Sequence, residues 1–343
     1  MRSLPILRSA CAALLLAALT ATPGRAQTYH LARTVTLGGD GGWDYLTLDT
    51  VGHRLFIARS DRIMVVDPDA GTLLGTIPGL VRGHGVAFDY ASGHGFATSG
   101  ADSAVTMFDL RTLAVLGKTT AAVDDDAVLY DPASRHIFTM NGDAHSATVI
   151  DPVSGRRIGT IPLGGKPEFG VSDGAGKLYV NLEDSAQVVE VDARAMRVLR
   201  RWPIAPCGSP TGLAIDRVHH RLFSGCRSGV MAVSDAVAGR LVTTVPIGQA
   251  VDACRFDPGT QLAFASNGDG TLTVIHEDAP DRYSVVGNVA TKQGARTMEI
   301  DLRTHRIWTV TADFGPAPAP TAAQPRPRAP VLPGTFALLV LEP

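Results

Sequence analysis

Long apolar runs are missing from this 343-residue sequence. The longest, Ala10 to Leu19, is too short to cross a bilayer comfortably, and no later stretch approaches the about 18 apolar residues that a spanning helix needs. A chain that spans a membrane is therefore not expected. Excess charge is missing too: 31 Lys and Arg stand against 33 Asp and Glu, for a net charge of −2. Such a balance creates no field that would gather nucleic acid or an anionic membrane surface. Cysteine is scarce, with four residues in all, and no C-x-x-C-H run is present for covalent haem attachment. The phosphate-cradling pattern G-x-x-x-x-G-K-[ST] is absent as well, which excludes that mode of nucleotide binding.

The N-terminus carries Arg2 and Arg8, then the apolar stretch, then small residues ending Gly24-Arg25-Ala26. That is the layout of a cleavable secretory signal over residues 1–26, leaving a mature chain from Gln27 that is periplasmic or secreted. Cleavage removes Cys11. Cys207, Cys226 and Cys254 then face an oxidising compartment, where an odd count allows at most one bridge.

What the sequence does have is a repeat. Alternating apolar residues ending in Asp recur as DYLTLD, GVAFD, AVLYD, FGVSD, GLAID, ACRFD and TMEID, closing at Asp49, Asp89, Asp131, Asp173, Asp216, Asp257 and Asp301. The spacings are 40, 42, 42, 43, 41 and 44 residues. Each copy continues through a turn into a second β-rich run such as HRLFIA or KLYVNL, a third such as RIMVVD or VVEVD, and a fourth such as LLGTIP or RIGTIP. Four short strands per unit of this length, with turn residues between, is the signature of a propeller blade.

The seventh copy has only one strand, TFALLVLE, after HRIWTV before the chain stops. Its missing strand is YHLARTVTLG, residues 29–38, at the other end. Pairing the termini in one blade removes the open edges that invite aggregation. The expected fold is therefore all-β: a seven-bladed β-propeller of four-stranded antiparallel blades, closed by the N-terminal strand completing the C-terminal blade. It forms one domain over 27–343, expected to be a monomer. A Pro/Ala-rich insertion at 314–333 interrupts the last blade and reads as an extended, weakly ordered loop.

The phrases KLYVNLEDSAQVVEVD, TLTVI and RRIGTIPLG resemble the YncE-like family of propellers built from the YVTN repeat, over essentially the whole mature chain. The resemblance implies a binding or scaffold protein of the cell envelope, with a small molecule or an envelope protein as partner. Some members are associated with DNA, which the charge balance here does not favour. Only three Trp residues are present, so the per-blade Trp of quinoprotein-type propellers is missing and a bound quinone is not expected.

Function in a repeat fold comes from non-repeating residues at repeating positions. The residue five before each repeat Asp lies at the mouth of the innermost strand, and that column reads Asp44, His84, Asp126, Glu168, Thr211, Asp252 and Arg296. Four carboxylates, an imidazole and a guanidinium converging on one axis form a candidate ligand site. Gathered carboxylates either raise their own pKa values or call for a cation. Asp126, Glu168, Asp252 and His84 are the candidate metal set, suited to Ca²⁺, Mg²⁺, Mn²⁺ or Zn²⁺; Arg296 instead would neutralise them or hold an acidic ligand. Beside the column stand Arg82, Asp124, Asp125, Lys166 and Lys292, and on the loops joining second to third strands Asp61, Arg62, Asn141, His145, Asn181, Glu183, Arg227, Asn267 and Asp269. The alternative to a binding protein is a metal-dependent enzyme of lactonase or lyase type, in which the metal polarises a carbonyl or activates water and His84 or Asp44 acts as general base.

The remaining features read as structural. The repeat Asp residues are expected to accept backbone N–H groups of the adjoining turns, and His53, His94, His136, His220 and His305 to occupy those same turns, on the face opposite the mouth, ahead of the second strand. Cys207 and Cys226 fall on the same face of the fifth blade and are expected to form a disulfide, with Cys226 to Cys254 the competing pairing.

Overall fold

The computed structural model describes residues 28–321, 324 and 327–343. The signal-peptide reading of 1–26 lies outside the described residues. Seven four-stranded antiparallel sheets are present, and the described residues contain no helix. Six sheets are each one contiguous stretch of chain. The first runs Trp43–Asp49, Arg54–Arg59, Arg62–Val66 and Leu73–Pro78 from the axis outwards. The seventh is assembled from both ends: Met298–Ile300, Ile307–Thr311 and Ala337–Glu342, with His30–Thr36 outermost. His30 pairs with Glu342 and Thr36 with Ala337, so the first strand of the chain closes the ring as its pattern requires.

The blades repeat because one turn repeats. Each of the seven Asp residues ends its innermost strand or directly follows it, and accepts backbone N–H bonds from the turn it starts; Asp49 takes Gly52 N at 2.9 Å and Asp216 takes Val218 N at 2.8 Å. In the fourth blade Gly174 and Gly176 supply the positive φ, 78° and 108°, whereas in the other six the fourth residue after the Asp adopts left-handed backbone to reverse the chain. Its φ runs from 50° at His53 to 74° at Gly93, with His220 at 55° and His305 at 61°. Three of the five histidines therefore share that position. His94 and His136 stand one place later and open the second strand, because Gly93 and Arg135 already supply the left-handed turn residue.

The core lies between sheets. Phe56 of the first blade meets Phe88 of the second at 4.8 Å, and Phe223 of the fifth stacks on Phe256 of the sixth at 4.9 Å. Trp308 and Phe336 of the seventh join Leu46 and Ile57 of the first in one buried cluster. Each such ring contributes about 1.5–3 kcal/mol through burial, so every blade depends on both neighbours. Outer strands such as Val115–Thr120 are largely exposed.

Cys207 and Cys226 form a disulfide within the fifth blade, and Cys254 is free and buried. Burial pushes the Cys254 thiol up to about 12, as suits a small core residue.

Candidate functional site

One irregularity builds the site. In six blades the ladder between the innermost and second strands slips at the mouth: between Trp43 and Leu46, Gly83 and Val86, Asp125 and Val128, Pro167 and Gly170, Pro210 and Leu213, and Val251 and Ala253. Each slip brackets a column residue. A bulge of this kind re-aims a side chain, and here it presents the column to the channel, giving the alternating strand a mouth that does not alternate.

The result is a cup of about 440 Å³, lined by Asp44, His84, Asp126, Glu168, Asp252 and Arg296 together with Arg82, Asp124, Lys166, Glu183, Arg227 and Arg328. Tyr45 closes its floor. Its ring meets Phe169 edge-on at 5.0 Å, and Phe169 lines a second, more apolar cavity of about 350 Å³ further along the axis. Beneath them Arg255 pairs with Glu299 at 2.9 Å. Burial, then the charges of Asp126, Glu168, Asp252 and Asp44, holds the Tyr45 phenol well above its usual range and therefore neutral.

Six of the seven column residues meet in this cup. Thr211 does not: its hydroxyl is fully buried and donates to Val251 O at 3.0 Å. Blade five contributes Arg227 instead, from the loop after its second strand. Arg227 pairs with Glu183 at 2.9 Å and lies 3.7 Å from Glu168 and 3.6 Å from Asp252.

The expected metal set also divides. The donor atoms of His84 and Asp126 cluster with Asp44, all within 4.8 Å of one another, and not with Glu168 or Asp252. Asp252 is taken by Arg296 at 2.5 Å, which satisfies the carboxylate a cation would need. His84 Nδ1 lies 2.6 Å from Asp44 and 3.3 Å from Asp126, and Arg82 Nε donates to its Nε2 at 3.0 Å. Burial opposes charge on this ring, but the Asp44 hydrogen bond and the Asp126 and Asp44 charges outweigh it and raise the imidazole to about 9. A protonated His84 has no lone pair on Nε2, so it keeps Asp44 and releases Arg82, which already pairs with Asp124.

Two carboxyl groups stand without adequate partners. Burial, reinforced by the charges of Asp126, Asp252 and Glu183, raises Glu168 to about 9. Burial likewise raises Asp126 to about 7 against the opposing pull of His84, and its Oδ1 has no hydrogen bond. Both can therefore present an O–H as well as accept. Among the described residues the terminal nitrogens of Arg296 have no hydrogen-bond partner, since only its Nε is used.

Several neighbours lie elsewhere than expected. Asn141 and Asn267 turn into their own blades, Asn141 donating to Thr148 at 3.1 Å, whereas Asn181 reaches across to the fifth blade and donates to Thr211 O at 3.0 Å and Gly212 O at 3.1 Å. Asp125 faces the Ser99 amide at 3.2 Å, Lys292 pairs with Asp313 outside the cup, and Asp61 pairs with Arg62 at the rim. Two contributors, Arg328 and Arg59, were not among the expected residues. Arg328 arrives from the Pro-rich insertion, whose stem is zipped by Gly315 N to Pro330 O at 2.8 Å and by a Phe314–Val331 bridge. Arg59 is fully buried and donates to the carbonyls of Asp40, Gly41 and Gly42 at 2.8–2.9 Å, with its guanidinium 3.7 Å from the Phe336 ring centre. It thereby fixes the loop that delivers Asp44.

Residues Gly170-Val171-Ser172-Asp173-Gly174 spell G-x-S-x-G. That spelling has no elbow behind it: Ser172 ends a strand that turns into another strand, and its hydroxyl donates to Asp131 at 2.6 Å. A nucleophile elbow requires a strand-to-helix turn.

No family model matches this chain, and no curated protein matches it. Among solved structures, a chain of Kuenenia stuttgartiensis hydrazine synthase superposes with a TM-score of 0.70 at 12% identity, over 80% of this chain and 94% of that one. At that identity the likeness concerns the propeller fold.

Proposed function

We propose that this protein is an exported, YncE-like propeller that binds a small hydroxylated organic acid in its axial cup. The observation that carries the reading is the pairing of opposite demands in one closed space: the unoccupied terminal nitrogens of Arg296 beside two buried, under-partnered carboxyl groups, Asp126 and Glu168. A guanidinium fork takes a carboxylate bidentately. Protonated carboxyl groups donate to, and ionised ones accept from, a ligand's hydroxyls. Arg227 and Arg328 add positive charge around the same space, and Tyr45 limits how deep a ligand reaches. The repeat phrases and the closure by the first strand support the family reading. The Cys207–Cys226 bridge and the leader-like N-terminus support export, because disulfides persist in oxidising compartments.

A thermal-melting screen tests this. A ligand at about 100 times its dissociation constant stabilises by about 2.7 kcal/mol. Hydroxy acids are expected to raise the melting temperature, while the matching neutral polyols leave it unchanged. Equal shifts from acids and polyols, or none from either, refute the assignment.

A second reading, a metal-dependent enzyme of lactonase or lyase type, is favoured by one observation: the grouping of Asp44, His84 and Asp126. It requires a divalent ion to co-purify and to be lost, with a fall in melting temperature, on treatment with chelator.

A further inference from the structure

On the face opposite the cup, one position sets the sixth blade apart. The residue that follows the third-strand end is apolar in the other blades: Pro68, Leu110, Pro152, Ala193, Ala236 and, at the end of the chain, Pro343. The first five are buried. In the sixth blade the same place, set by the amide bond from Glu277 N to Gln261 O that matches Ala236 N to His220 O, is held by Glu277. Its side chain is fully buried and neither carboxylate oxygen has a hydrogen-bond partner.

Glu277 points across the blade boundary at Asp216 and His219 of the fifth blade. His219 Nδ1 lies 2.7 Å from Asp216 Oδ2 and 3.1 Å from Glu277 Oε1, yet it forms a well-aligned hydrogen bond with neither. Asp216 is itself buried and oriented by Val218 N at 2.8 Å and His219 N at 3.1 Å. Arg221, the nearest fixed cation, is turned to Asp281 at 2.9 Å and Pro280 O at 2.8 Å.

We propose that Asp216, His219 and Glu277 form a divalent transition-metal site of the zinc class that staples blades five and six. One imidazole and two carboxylates, converging within 4.8 Å, are a ligand set zinc accepts, with a fourth position open to solvent. Donors at about 2.1 Å in a tetrahedral shell stand roughly 3.4 Å apart, so the 2.7 Å spacing of His219 and Asp216 would open by about 0.7 Å and the 3.1 Å spacing of His219 and Glu277 by about 0.3 Å. The site is independent of the cup, which lies at the other end of the axis.

The test uses the mature protein stripped with EDTA and titrated with ZnCl₂ by calorimetry and thermal melting. Glu277→Ala installs the residue that blades four and five carry at this position, and His219→Ala changes a partly exposed side chain, so both variants keep the fold. Wild type is expected to bind Zn²⁺ with a rise in melting temperature. Each variant should lose at least roughly 100-fold in affinity, beyond the 10–100-fold cost of removing an outer partner. His84→Gln, in the cup, should retain the binding. Absence of a Zn²⁺-dependent rise in wild type, or an unchanged rise in both Glu277→Ala and His219→Ala, overturns the proposal.

Discussion

The two ends of the innermost strands make opposite use of repetition. At one end all seven blades place the same residue, an Asp that caps a turn, with a left-handed fourth residue in six of them. At the other end the equivalent position holds Asp, His, Asp, Glu, Thr, Asp and Arg, six of them directed into one cup. The turn end gains backbone hydrogen bonds from its carboxylates. The mouth end holds carboxyls that burial drives away from their usual charge. Copies that agree specify the ring; copies that differ are free to carry a site.

Breaking the turn end should produce the largest change. Asp257 is fully buried and holds Gly259 N at 2.9 Å, Thr260 at 2.8 Å and His305 at 2.6 Å. Removing one member of such a buried set costs about 3 kcal/mol or more, so Asp257→Ala should lower the unfolding free energy from urea titration by that amount while leaving ligand affinity untouched.

The mouth end should show itself next, through pH. Glu168 at about 9 folded ionises near 4.5 when unfolded, so the unfolded chain holds fewer protons between those values and stability falls as pH rises through them. His84, raised from 6.5 to about 9, acts in the same direction: its contribution is full below pH 6.5 and is lost on the way to pH 9. Wild type should lose on the order of 2 kcal/mol between pH 6 and 7. Glu168→Gln should flatten that slope, and denaturant titrations at the two pH values check it.

Thr211 sharpens the comparison because it sits in the column and behaves as scaffold. Thr211→Ala leaves the Val251 carbonyl short of a donor and should cost about 1 kcal/mol with no loss of binding. The smallest stability effect is expected at Arg328, exposed on the insertion: Arg328→Ala should change stability by less than about 0.5 kcal/mol and still weaken ligand binding, measured by the shift of the melting curve with ligand.

The architecture was legible because a turn must be rewritten in every blade, and the Asp phrase is its spelling. The column was legible for the same reason, since a residue five places before that Asp enters each bulge in register. Thr211 departed from it because its short side chain reaches the neighbouring backbone before it reaches the axis. The three Asn residues stand inside the second strand and not beyond it, so Asn141 and Asn267 pair within their sheets and Asn181 with the backbone of the fifth blade. Arg328, Arg59 and Glu277 were silent for different reasons. The first lies in an insertion without register, the second acts on backbone carbonyls, and the third appears only when its blade is compared with six others at a position that otherwise carries no polar group.

The division between the two ends is tested most directly by titrating one hydroxy acid, calorimetrically and well below the melting transition, into Arg296→Met and Asp257→Ala proteins. Arg296→Met should weaken binding at least roughly tenfold, the cost of one charge-assisted contact, while Asp257→Ala binds as wild type does. Equal affinity in both variants, or a loss confined to Asp257→Ala, would contradict the assignment of binding to the mouth.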